Sequence, residues 1–107
     1  MKIEPLVKLV NEALAAQGGG PFIQGPFVEA DTDRDANESV VTGKMHKRDL
    51  SLLFHVNSGK TENAYTVSLR DDATGIHLGS GEGQSTFADA ISAYHWNAAL
   101  TELNELA

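Results

Sequence analysis

The chain has 107 residues, 41% apolar and 21% charged, which suits one soluble globular domain with a modest core and excludes a two-domain or a disordered chain. Eight basic against fifteen acidic side chains leave a formal charge of −7, which argues against general binding to a phosphate backbone. There is no cysteine, so disulfides, thiolate metal sites and thiol nucleophiles are excluded, and a reducing cytoplasm is the expected compartment.

The first stretch, MKIEPLVKLVNEALAAQ, interleaves charge with apolar residues and does not read as a signal peptide. No apolar run in the chain approaches the roughly 20 residues of a membrane helix, so no membrane partner is expected. Pro5 suits a first helical turn, and Ile3, Leu6, Val7, Val10 and Leu14 recur at three- and four-residue spacing. This predicts a helix, stopped by Gly18, Gly19, Gly20 and Pro21. Phe22–Glu29 (FIQGPFVE) is apolar but contains Gly25 and Pro26, which makes it an edge strand or an ordered loop.

Asp31–Glu38 (DTDRDANE) reads as a polar loop. Asp31, Asp33 and Asp35 fall at positions 1, 3 and 5 of a calcium loop, but Ala36 stands where that loop needs Gly and Thr42 where it needs Glu. A solvated acidic loop is the expectation. Ser39–Lys44 and Leu50–Val56 then read as strands joined by the basic turn MHKRD, followed by strands at Tyr65–Arg70 and Gly75–Ser80. Leu50, Leu52, Phe54 and Val56 alternate onto one face with Tyr65, Val67, Leu69, Ile76 and Leu78. The connections NSGKTEN and DDATG carry the turn chemistry of antiparallel hairpins. Keeping each face together pairs His55 with Thr66 and His77 with Arg70.

GSGEGQS (79–85) poses a choice between a phosphate cradle and a hinge. It holds Glu82, has no basic residue and does not match GxxxxGK[ST], so it is read as a strand end that turns into a helix. That helix starts near Thr86, with Asp89 as its capping-box partner, and runs to about Leu106. Along it, Phe87, Ala90, Ile91, Tyr94 and Ala98 form one stripe, while Trp96, Ala99, Leu100 and Leu103 form another on nearly the opposite side. One straight helix on one sheet cannot bury both. The second stripe is therefore either covered by the first helix or by FIQGPFVE, or left exposed for a partner.

The predicted fold class is α+β: α-β-β-β-α with one optional extra N-terminal strand, an antiparallel meander carrying both helices on one face. A helix, a meander, the GSGEGQS turn and a closing helix with Ala88, Ala90 and Ala98–Leu100 is similar to the double-stranded RNA-binding domain, over roughly Leu50–Leu106. The resemblance implies RNA contact through lysines at the start of the last helix. Those positions hold Thr86, Phe87 and Asp89, which leaves Lys44, His46, Lys47 and Arg48 in the basic turn as the nucleic-acid candidates. At the same coarse level the order resembles small phage proteins of the helix–sheet–helix type.

No Ser–His–Asp or paired-carboxylate spacing points to catalysis, and His55 and His77 fall on non-adjacent strands, so no enzyme, cofactor or metal is expected. The function expected is a small acidic, non-catalytic protein-interaction module, an inhibitor or accessory protein that binds a protein partner or a second copy of itself. The alternative is a nucleic-acid-binding module. Three surfaces are candidates: the Trp96, Ala99, Leu100 and Leu103 stripe, the basic turn, and the open sheet face with His55, Thr66, Ser68, Arg70 and His77.

Overall fold

The computed structural model of the chain describes residues 3–30, 36–57, 59 and 62–106, except the side chains of 26–30 and 36–37. The elements run α1 (Glu4–Ala16), β1 (Ile23–Ala30), β2 (Ala36–Met45), β3 (Arg48–Asn57), β4 (Tyr65–Asp71), β5 (His77–Leu78), α2 (Phe87–Ala93) and α3 (Trp96–Leu106). The strands form one antiparallel sheet in the order β1-β2-β3-β4-β5, with the helices on one side of it. This is the expected α+β class, with β1 and β5 flanking the three central strands. The Phe22–Glu29 stretch does form an edge strand, β1, and its pairing with β2 slips between Gln24 and Val28. Gly25 and Pro26 sit inside that irregularity, which roughens the sheet edge against pairing with other chains.

Alternation along the strands decides the two faces. Leu50, Leu52 and Phe54 are fully buried on one side of β3, joined by Val41 of β2, Val67 and Leu69 of β4, and Leu78 of β5. Against them pack Val7, Val10 and Leu14 of α1, together with α2 and α3. Among the described residues, no helix lies over the other side. The pairings His55 with Thr66 and Arg70 with His77 are those that the alternation predicts.

Boundaries moved where local pattern gave no warning. Strand β2 already begins at Ala36, inside the stretch expected to be a polar loop; Asp31, Asp33 and Asp35 lie outside the described residues. Strand β5 is two residues long rather than six. The predicted last helix is two helices. After Ala93 the chain opens at Tyr94 (φ −67°, ψ 143°), and the His95 N–H leaves the helical ladder to donate to the Ser80 carbonyl at 2.8 Å.

The start of α2 does follow its sequence signal. Thr86 is extended and its hydroxyl accepts from the Asp89 N–H at 3.0 Å, filling one otherwise orphaned donor. Thr86→Ala is expected to cost about 1 kcal/mol by urea denaturation. A loss near zero would mean that this cap contributes nothing to the folded state.

Candidate functional site

Because β2 and β3 meet through a two-residue turn, with His46 and Lys47 both at positive φ, the register of these two strands is fixed and sets Thr42 opposite Ser51. The pairings of β3 with β4 and of β4 with β5 then set Ser51 opposite Arg70 and Arg70 opposite His77. These four make a polar row across the helix-free face. The next row pairs Val40 with Leu53 and Leu53 with Ser68, and the one beyond pairs Glu38 with His55 and His55 with Thr66. All five sheet-face residues expected from the sequence, His55, Thr66, Ser68, Arg70 and His77, therefore share this surface. Thr42 and Asp72, which complete its centre, carried no motif. The signal for Thr42 was the turn length, since a two-residue turn at His46-Lys47 places it opposite Ser51, while Asp72 continues the alternation of Ser68 and Arg70 one residue past β4.

Asp72 organises the row. Its Oδ1 accepts from the Ser51 hydroxyl at 2.7 Å and lies 3.6 Å from Nε of Arg70. Two adjoining concavities, of about 520 and 540 Å³, both include Thr42 and Asp72 in their walls. One extends over Val40, Ser51, Arg70 and His77, the other over Ile23, Gly25 and Gly43 at the β1 irregularity. Further along the face, Nδ1 of His55 is shielded from solvent without a hydrogen bond and lies 3.6 Å from the Glu38 carboxylate.

His55 and His77 do not meet. Their partners on β4, Thr66 and Arg70, are separated by about 13 Å of strand. No group of three or more His, Asp or Glu among the described residues is placed to hold a metal ion. The Gly79–Gly83 loop is built for close approach. Gly79 has φ 69°, and a Cβ there would stand 2.8 Å from the His95 carbonyl and 2.9 Å from Ala99. Its N–H donates to Glu102 Oε2 at 2.7 Å, so a carboxylate of the chain itself holds the first N–H of this loop.

The helix stripe has a different fate from an interaction surface. Trp96 is 3% exposed, Ala99 and Leu103 are fully buried, and Leu100 is 9% exposed and lies against Gly19 just beyond α1. The break at Tyr94 leaves Phe87, Ala90 and Ile91 on α2 and Trp96, Ala99, Leu100 and Leu103 on α3, each helix free to turn its own apolar side inward, with Ala98 of the first stripe left on α3. The Trp96 indole N–H donates to the Ile91 carbonyl at 2.7 Å, and its ring lies 4.5 Å from that of Tyr94. The hydroxyl of Tyr94 accepts from Leu69 N–H at 3.3 Å and donates to the Leu78 carbonyl, inserting itself between β4 and β5. Burial holds the Tyr94 phenol above its usual pKa.

The basic turn is also divided. Arg48 is not a free cation: Nε and Nη2 donate to the two carboxylate oxygens of Asp71, each at 2.9 Å, and Nη1 donates to the Leu106 carbonyl at 3.1 Å. Asp71 is fully buried and also accepts from the Thr74 hydroxyl at 2.7 Å and the Thr74 N–H at 3.2 Å. Arg48 foremost, then Thr74, holds the Asp71 pKa down at about 2. Lys44, 3.4 Å from Asp49, stays exposed with His46 and Lys47.

No family model, curated protein or solved structure matches the chain. Among the described residues, no helix is long and apolar enough to cross a membrane.

Proposed function

We propose that this is a non-catalytic binding module, an inhibitor or accessory protein, whose recognition surface for a protein partner is the helix-free face of the sheet. The observation that carries the reading is the Thr42–Ser51–Arg70–His77 row, laid across four strands beside the half-buried Val40 and Leu53 and over a concavity. A rigid sheet presents such side chains with little ordering cost on binding. The competing surfaces are weaker for physical reasons. Trp96, Ala99, Leu100 and Leu103 are spent on the core, and Arg48 is spent on Asp71 and Leu106. A nucleic-acid surface on the hairpin tip keeps only Lys44, His46 and Lys47 against a charge of −7.

Leu53→Glu and Arg70→Glu alter this face without touching the core, and Lys47→Glu alters the hairpin tip. With the three variants and wild type as parallel baits in lysate, a protein partner is expected to bind wild type and Lys47→Glu equally. It is expected to bind each sheet-face variant at least tenfold more weakly, with the amide spectra of the variants confirming the fold. Equal recovery by all four baits overturns the reading. Loss on Lys47→Glu alone, with binding that falls steeply in salt, transfers the function to the tip and to nucleic acid.

A further inference from the structure

We infer that Arg70 and His77 form a carboxylate subsite on the open face, which takes an Asp or Glu side chain of a partner polypeptide flanked by apolar residues. The inference rests on the open-face reading and gives it a ligand class.

The two described arginines of the chain are in opposite states. Arg48 has Nε and both terminal nitrogens engaged. Arg70 faces Asp72 only through Nε, at 3.6 Å, and no other partner engages its guanidinium among the described residues. Its side chain is 35% exposed and lines the concavity of about 520 Å³. The Ser51 hydroxyl donates to Asp72, which lies on the Nε side of the guanidinium, so among the described residues the terminal edge faces no partner. Directly across the ladder on β5 is His77, exposed and lining the same concavity. A planar guanidinium with its terminal edge open suits the paired oxygens of a carboxylate.

Charge selects among anions. Asp72 already lies 3.6 Å from Nε of Arg70, so a single ligand carboxylate on the terminal edge adds one negative charge, whereas a nucleic-acid strand brings a row of phosphates into the field of a chain at −7. The row beside Arg70 supplies the second half of the specificity. Val40 and Leu53 pair across β2 and β3 and are half-buried, an apolar shelf one pleat repeat away from the guanidinium. The complementary ligand is an acidic residue next to an aliphatic or aromatic one.

A displayed library of random heptapeptides panned on wild type, Arg70→Gln and Leu53→Glu tests this. Wild type is expected to enrich peptides with Asp or Glu beside an apolar residue. An enriched peptide made synthetically should shift the amide signals of Thr42, Ser51, Arg70 and His77. Its affinity should fall at least tenfold when its Glu is changed to Gln, and equally when Arg70 is changed to Gln in a protein whose spectrum remains folded. Enriched peptides that lack an acidic residue, or that bind Arg70→Gln unchanged, overturn the carboxylate subsite; if their shifts still map to this face, the open-face reading stands. Absence of enrichment, or shifts confined to other surfaces, overturns both. A single-stranded oligonucleotide that shifts the same four signals more strongly than any peptide also overturns the choice of ligand.

Discussion

Replacing Trp96 by Ala is expected to cost about 3–5 kcal/mol, a large part of the roughly 5–15 kcal/mol that holds a domain of this size together. Three losses combine. The buried indole leaves a cavity bounded by Tyr94, the Ile91 carbonyl loses its donor, and the Tyr94 hydroxyl loses a wall that keeps it between β4 and β5. Trp96→Phe separates these contributions. It keeps most of the apolar volume but leaves the Ile91 carbonyl unpaired, and should cost about 1–3 kcal/mol. Urea denaturation followed by far-UV circular dichroism measures both variants, since each removes the chain's only tryptophan and with it the usual fluorescence signal. Midpoints unchanged in both would mean that Trp96 is surface, and would restore the stripe as an interaction site. The consequence for binding studies is direct. A Trp96→Glu bait that loses a partner reports unfolding rather than the removal of a contact.

Trp96 also shows what a linear sequence withholds. The stretch from Ile91 to Leu100 contains no Pro or Gly, and every local preference permits one continuous helix. The break comes from tertiary contacts: Tyr94 reaches the β4–β5 ladder and His95 takes the Ser80 carbonyl. A trace of this was present, because two apolar stripes on opposite sides of one helix are also a jump in periodicity, the mark of two helices. Strand faces were legible because alternation is a property of neighbouring residues. The pairings of His55 with Thr66 and of His77 with Arg70 followed from it. The open-face centre was half legible. Arg70, His77 and Ser68 showed in the alternation of single strands, while Thr42 needed the register across the His46-Lys47 turn and Asp72 lies one residue past the end of β4. Arg48 was misread for the reason that hid the helix break, since its partner Asp71 is 23 residues away and nothing beside Arg48 announces it.

Acid is expected to unfold this protein partly through Asp71, and an Asp71→Asn variant isolates that share. The folded pKa of Asp71, about 2, lies below the ordinary carboxylate value near 3.9 of the unfolded chain. The contribution of the ionised group is thus fully present above about pH 4 and is lost as the pH falls from there through about 2. Arg48 adds to the dependence on charge, because its fork joins the start of β3, the β4–β5 turn and the last turn of α3 through Asp71 and the Leu106 carbonyl. Asparagine keeps the shape and can still accept from Thr74, but it leaves the guanidinium without its anion. At pH 7 the variant is expected to melt on the order of 10 °C below wild type. The gap should narrow as the pH is lowered through the window from about 4 to 2, where wild type loses the same charge by protonation. Melting curves at pH 7, 4, 3 and 2 for the two proteins test this. A gap that stays constant from pH 7 to pH 2 would show that the carboxylate's charge carries none of the stability, and that Asp71 holds the turn by its hydrogen bonds to Thr74 alone.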